Sequence, residues 1–409
     1  MLRGELHAEG LSLSEIAERF GTPCYVYSRA MLQNAFADFT GAFDGLPHLV
    51  CYAVKANSNL AVLDLFARAG SGFDIVSGGE LQRVIAAGGD PRKTVFSGVG
   101  KTTAEMELAL EHDILCFNVE SAAELARLSE VASAHGARAR VSFRVNPDVD
   151  PLTHPYIATG LKDSKFGVSY ADAKALYRRA ASSSSIAVEG IDMHIGSQIS
   201  SIEPCREAAQ KLLELVDALN DDGIGLAHID LGGGLGVRYR DEHVIALHEY
   251  ATMVRDLFAG RSERLLFEPG RRLVADAGVL LTRVLYLKPG APHGFAIVDA
   301  AMNDLIRPAL YDAWHSIEPV RPRAGTPRRW NIVGPVCESA DFIGLDRDLA
   351  LEQGDLLAVR TAGAYAMAMS SNYNTRPRAC EVMVDGEAAH LVRRREPVAS
   401  LFQDESRLP

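Results

Sequence analysis

The sequence predicts an α/β fold, a closed TIM-like (β/α)8 barrel followed by a β-rich C-terminal domain. Three observations carry this. From Pro47 onward, apolar runs of strand length alternate eight times with helical patterns over roughly 230 residues. The alternation stops after Arg272, and the remainder reads as strands with no long helix of its own. A chain of 409 residues also exceeds one ordinary core, which calls for two domains. An open, doubly wound sheet is the competitor, and eight near-equal units favour closure.

In chain order, Leu13 to Phe20 is an amphipathic helix ended by Gly21 and Pro23, and Cys24-Tyr25-Val26-Tyr27 is a short strand. Arg29 to Phe43 reads as a helix. The eight barrel strands are expected at 48–54, 72–77, 94–99, 114–119, 139–146, 187–195, 226–231 and 264–268. Strands at 278–288 and 295–299 follow, with others at 330–333, 356–361 and 380–384. Asp385-Gly386 marks a hairpin into Glu387 to Val392. The expected divisions are an N-terminal segment, 1–25, packing on the β-domain; a barrel, 26–275; and a β-domain, 276–409, built as a sandwich or small barrel.

Composition narrows the function classes. A formal charge of −11 argues against nucleic acid or an anionic membrane as partner. No apolar run reaches the ~18 residues of a membrane span, and Met1-Leu2-Arg3-Gly4-Glu5 carries no apolar signal region. Six scattered cysteines lack metal-ligand spacing and suit a reducing cytoplasm. Five of them read as packing residues, with Cys337 set apart by its motif.

In such a barrel, function lies at the carboxyl ends of the strands. The first strand ends in Lys55, just before Asn57-Ser58-Asn59, which caps the next helix. The plain alternative for Lys55 is a surface lysine with its charge in solvent. Later strand ends offer Asp74 and Ser77-Gly78-Gly79, Arg144 and Asn146, His194-Ile195-Gly196-Ser197, Asp230-Leu231-Gly232-Gly233-Gly234, and Glu268-Pro269-Gly270-Arg271. Three consecutive glycines after the seventh strand let several N–H groups approach an anion, and barrel phosphate sites cluster after strands seven and eight. Gly270 and Arg271 would complete that cradle, with a hydroxyl from Ser197; a tight turn is the alternative.

A lysine and a phosphate cradle in one barrel mouth suggest pyridoxal phosphate, whose aldehyde forms a Schiff base with a lysine amine. Its ring nitrogen needs an acidic partner so that the protonated ring accepts electrons. Glu268 stands at the right strand end for that, and His194 at the place to stack on the ring.

Tyr52-Ala53-Val54-Lys55-Ala56-Asn57, His194-Ile195-Gly196-Ser197, Gly232-Gly233-Gly234 and Glu268-Pro269-Gly270-Arg271 resemble the barrel-type pyridoxal-phosphate decarboxylases. More narrowly, the chain is similar to the diaminopimelate decarboxylase family. The narrower resemblance rests on Gly72-Phe73-Asp74-Ile75-Val76-Ser77-Gly78-Gly79-Glu80, Thr153-His154-Pro155-Tyr156, Asn303 to Tyr311, Cys337-Glu338-Ser339 and Ala362-Gly363-Ala364-Tyr365. It spans about residues 4 to 395, with one departure: a short stretch before Gly4-Glu5-Leu6 where the family usually adds a strand.

The resemblance implies fold-type III, a head-to-tail homodimer with shared active sites, and decarboxylation of meso-2,6-diaminopimelate at its D-centre to L-lysine and carbon dioxide. It assigns Lys55 as the Schiff-base lysine, Glu268 as the ring-nitrogen partner and His194 as the stacking ring. Ser197, Gly234, Gly270 and Arg271 fall where phosphate and substrate are contacted. Arg271, Arg307 and Tyr311 resemble the holders of the distal carboxylate, and Glu338 the holder of the distal ammonium. Tyr365 would touch cofactor and substrate, and Cys337, from the partner subunit, would donate the proton. Asp74 and Asn57 are read as groups orienting the cofactor and Lys55. A distal carboxylate calls for bidentate guanidinium, which an ornithine-type substrate would not need. No metal is called for. The alternatives are a decarboxylase of another diamino acid, an amino-acid racemase, which would place arginine and not Glu268 near the ring nitrogen, and a non-catalytic pyridoxal-phosphate-binding homologue.

Overall fold

The computed structural model describes residues 4–150, 159 and 165–409. The motif Thr153-His154-Pro155-Tyr156 lies outside the described residues. The chain divides into two compact units: one comprises Ala35–Arg238 and Glu242–Arg272, the other the described residues through Asn34, Tyr239–Asp241 and Leu273–Pro409.

The first unit is a closed barrel of eight parallel strands. They are His48–Ala53, Gly72–Ile75, Thr94–Phe96, Cys116–Val119, Ala139–Asn146, Ile186–Asp192, His228–Asp230 and Arg264–Phe267. The eighth strand closes on the first, with Leu265, Leu266 and Phe267 opposite His48, Leu49 and Val50. Each expected strand is present, with ends moved by a few residues. The apolar runs extend as strands because both faces are covered, as the wholly buried Leu49 to Ala53 illustrates.

Strand geometry sends every second residue into the barrel. The inward set is apolar in its lower layer, where Leu49, Cys51, Val95, Cys116 and Leu266 form one cluster. Toward the carboxyl ends of the strands the inward set turns polar, at Asp74, Ser97, Asn118, Asp192, Asp230 and Glu268, all buried. Gly190 makes room for His228 inside the barrel, since a Cβ there would lie 2.1 Å from its Nε2. Burial pushes that imidazole down to about 4, so the ring is neutral. Outside the strands, Phe43 stacks on Phe267 at 4.1 Å between centroids, and Tyr52 meets Phe66 at 4.6 Å.

In the second unit, the long strand Gly278–Lys288 pairs antiparallel with Cys24–Ser28, Leu356–Val359 and Gly294–Val298. Cys24–Ser28 runs parallel to Cys380–Asp385, which turns at Gly386 (φ 59°) into Ala388–Arg393. The helix Leu13–Phe20, capped by Ser12 accepting from the N–H of Glu15, packs Leu13, Ile16 and Ala17 into the core with Val26, Leu281, Ala358 and Val382. Besides the short pair His7–Ala8 and Leu11–Ser12, two strands of this unit went unread in the sequence, Ile317–Pro319 and Phe342–Leu349. The second of these bends at Asp346, a left-handed residue at φ 53°, and shifts register against Arg328–Val333, which destroys the two-residue alternation.

Candidate active site

Lys55 follows the first strand in a single 3-10 turn, Val54–Ala56. The turn is fixed from both sides. The Tyr52 hydroxyl donates to the carbonyl of Asn57 at 2.9 Å, and the Asn59 side chain caps the helix Leu60–Arg68. Lys55 Nζ lies 2.6 Å from Asp74 Oδ2; Asp74 is wholly buried, while the lysine side chain keeps 37% exposure. The second strand thus supplies an anion to the lysine that ends the first, and the amine stays accessible from the barrel mouth.

Behind this pair the polar layer is strongly acidic. Oxygen atoms of Asp192, Asp230 and Glu268 lie within 4.8 Å of one another, close enough for their charges to interact strongly or to surround a cation. Burial, then the charges of Asp230, Asp74 and Asp192, push Glu268 well above the usual carboxylate range. Asp230 is pushed up to about 7, also chiefly by burial, although it accepts from the Gly232 N–H at 2.8 Å. Asn118 Nδ2 donates to Glu268 Oε1 at 3.3 Å and to Ser97 Oγ at 3.1 Å. Buried carboxylates this close cannot all be ionised, so the layer retains protons near neutral pH.

The glycine run after the seventh strand has a packing reason of its own. A Cβ on Gly232 would sit 2.3 Å from Met193 O, on Gly233 2.1 Å from Glu268 O, and on Gly234 2.2 Å from Gly196 O. Gly232 and Gly234 also take left-handed φ, 65° and 100°. The glycines let the ends of strands six, seven and eight close on one another, which brings His194, Ser197 and Glu268 to one rim. The Gly233 N–H donates to His194 Nδ1 at 3.2 Å, and Arg271 donates to Ser197 Oγ at 3.0 Å. Burial, then Arg144 and Lys55, hold His194 well below the ordinary imidazole range, leaving a neutral ring.

The remaining expected residues belong to the second unit. Arg307 is buried at the start of the helix Arg307–Tyr311, its guanidinium 4.8 Å from the centre of the Tyr239 ring. Tyr311 is half-buried. Tyr365 takes a left-handed φ of 53°, two residues after Gly363, where a Cβ would strike Val274 O at 1.9 Å. Cys337 alone of the six cysteines is exposed. Its N–H donates to Asn374 Oδ1 at 3.2 Å, and neighbouring Glu338 accepts from the Tyr373 hydroxyl at 2.5 Å.

Residues 29–275 match the family described as pyridoxal-dependent decarboxylase, pyridoxal binding domain. Over 405 residues the chain is 61% identical to the diaminopimelate decarboxylase of Pseudomonas aeruginosa, covering 99% of this chain and 98% of that one. The chain belongs to the diaminopimelate decarboxylase family. The Vibrio cholerae member is 57% identical over 407 residues, covering 99% of this chain and 98% of that one. Among solved structures, the fold matches diaminopimelate decarboxylase from Helicobacter pylori complexed with L-lysine at a TM-score of 0.93 and 42% identity, covering 96% of this chain and 98% of that one. It matches the M. jannaschii enzyme, also with L-lysine, at 0.95 and 37%, covering 100% and 97%.

As a diaminopimelate decarboxylase family member, the chain is a pyridoxal-phosphate-dependent decarboxylase, and the barrel residues fit that cofactor. The mouth offers an accessible amine, a neutral imidazole on the rim and a carboxyl group with a raised pKa. Asp74 Oδ1, Asp192 Oδ1 and Asp230 Oδ2 are buried oxygens with no hydrogen-bond partner among the described residues, and a cationic ring beside Glu268 would offset part of the buried negative charge of this layer. Sequence reasoning missed Asp192 and Asn118, and named Asp230 as a strand end without giving it a role. The signal was present, since each stands two residues beyond an inward-facing position of its strand. No described helix is long and apolar enough to cross a membrane.

Proposed function

We propose that this enzyme decarboxylates meso-2,6-diaminopimelate at its D-centre, giving L-lysine and carbon dioxide. The observation that carries the reading is full-length identity of 47–61% to proteins that all bear the name diaminopimelate decarboxylase. A lysine/ornithine decarboxylase from Vibrio vulnificus shares the fold at only 21% identity.

Pyridoxal phosphate, when bound, supplies an aldehyde for a lysine amine and a ring that accepts the electron pair left by departing carbon dioxide. Lys55 is the amine, and Asp74 orients it through the 2.6 Å contact. Glu268 holds a proton toward the ring nitrogen, kept available by its acidic surroundings. His194, neutral, stacks without adding a competing charge. Ser197, Gly234, Gly270 and Arg271 hold the phosphate. Arg271, Arg307 and Tyr311 hold the substrate's distal carboxylate, Glu338 its distal ammonium, and Tyr365 touches both ligands. Cys337 delivers the proton from its Sγ to the carbon that lost carbon dioxide. The exposed Cys337 and Glu338 support a head-to-tail homodimer in which each barrel is completed by the partner's β-unit, and the six free cysteines suit work in a reducing cytoplasm.

The test is carbon dioxide release from meso-diaminopimelate, L-ornithine and L-arginine by the purified, cofactor-loaded protein. Release from the first alone is expected; comparable release from ornithine would move the function to a broader diamino-acid decarboxylase.

A further inference from the structure

We infer that the turn Ser371–Arg376 positions the substrate-side groups of the β-unit, with Tyr373 orienting Glu338 and Asn374 orienting Cys337. This rests on the roles proposed above for Glu338 and Cys337.

The two contacts span long sequence separations, 35 residues for Tyr373 to Glu338 and 37 for Asn374 to Cys337. They act on exposed groups that packing does not hold, and Tyr373 itself is 44% exposed. An exposed glutamate samples many rotamers, and a hydroxyl at 2.5 Å is in the range of a charge-assisted bond that selects one. The turn is made at a conformational cost. Asn374 and Thr375 both take φ 56°, and left-handed backbone is a rare state for a β-branched threonine. Strain in an exposed turn that buries no side chain of its own gives the core nothing; here it aims two side chains at two neighbouring residues.

The turn is also anchored. Ser371 N–H donates to Asn303 O at 2.9 Å, Asn303 Nδ2 donates to Ser371 O at 3.3 Å, and Arg376 Nε donates to Asn303 Oδ1 at 2.9 Å. Asn303 is buried and lies four residues before Arg307. Next to it, the Met302 N–H donates to Asp341 Oδ1 at 2.7 Å, and the other oxygen of that carboxylate accepts from Val336 N–H at 2.6 Å. The contacts therefore form a closed circuit: Asp341 to the loop before Arg307, that loop to the turn, the turn to Cys337 and Glu338, and Val336 back to Asp341.

The test uses the holoenzyme and four variants. Tyr373→Phe should raise KM for meso-diaminopimelate about tenfold, the scale of one charge-assisted hydrogen bond. The competitive inhibition constant of L-lysine should rise by a similar factor. That of 6-aminohexanoate, which lacks the ammonium meant for Glu338, should not move. Asn374→Gly accepts the left-handed φ and removes the acceptor; kcat should fall roughly tenfold at unchanged KM, and Asn374→Asp should restore it. A Tyr373→Phe enzyme that weakens both inhibitors equally, or neither, overturns the assignment, as does Asn374→Gly with unchanged kcat. Glu338→Gln separates the two ways of failing. If it leaves lysine and 6-aminohexanoate undistinguished, the Glu338 role is wrong; if it distinguishes them and Tyr373→Phe does not, only the positioning role is.

Discussion

Lys55 and Asp74 stand 2.6 Å apart, yet only the lysine reaches solvent. A wholly buried carboxylate beside a partly exposed amine fixes the direction of the amine and leaves it open to a reaction partner. Asp74→Asn should therefore lower kcat by about one to two orders of magnitude, a typical loss when a group that orients a reacting amine goes. The melting temperature should change little, because the freed lysine can reach water. Lys55→Ala should abolish turnover and the absorbance band of lysine-bound cofactor; retained turnover would remove Lys55 from the chemistry.

The acidic layer gives a pH dependence of definite sign. The carboxyl of Asp230 moves from 3.8 to about 7 on folding, through burial and through Asp74, against the opposing Gly232 N–H and Lys55. The cofactor-free folded protein thus binds more protons than the unfolded chain between these values. Its stability is highest below pH 4 as far as this group decides, and is lost as pH rises toward 7. Asp230→Asn removes that loss. Its gain over the parent in urea unfolding should grow between pH 5 and pH 8 by on the order of 2–3 kcal/mol, at about 1.4 kcal/mol per pKa unit. A constant difference would mean that the proton resides elsewhere.

Gly233 should not tolerate a methyl group. A Cβ 2.1 Å from Glu268 O meets backbone, which cannot swing aside as a side chain can. Gly233→Ala should cost about 3 kcal/mol by overpacking and displace Glu268 enough to weaken cofactor binding. Gly100→Ala, with nothing within 4 Å of its Cβ, should stay within about 0.5 kcal/mol. Thermal melts and cofactor titrations of the pair check both.

Arg307→Lys keeps the charge and loses the fork. With the guanidinium buried 4.8 Å over the Tyr239 ring, a single ammonium cannot reproduce the planar contact. KM for meso-diaminopimelate should rise roughly tenfold or more, with a smaller change in kcat. Steady-state kinetics decide it, and an unchanged KM would return Arg307 to a purely structural role.

The barrel was legible because its strands are buried on both faces and so read as unbroken apolar runs, His48 to Ala53 above all. Lys55, His194 and Glu268 were legible as strand ends carrying groups that a core disfavours. Arg307, Cys337 and Glu338 were reached by resemblance, since nothing in periodicity distinguishes them. The acidic partner Asp192 was overlooked, and Asp230 was seen only as a strand end, although the alternation that placed Glu268 also places both. Asn303, Asp341, Tyr373 and Asn374 act across 35 or more residues, through contacts that single-chain patterns do not encode. The strand Phe342–Leu349 was hidden by the left-handed Asp346 within it.

Inside the barrel, hydrocarbon gives way to polar groups within two residues on three of the strands, from Val95 to Ser97, Cys116 to Asn118 and Leu266 to Glu268. That abrupt boundary makes the lower half a stopper. Below the acids, Leu49, Val95, Cys116 and Leu266 leave the neutral His228 as the polar group beside Cys116, so that side of the layer offers water and ions little foothold. Whatever fills that mouth stands between the buried charge and the solvent on that side.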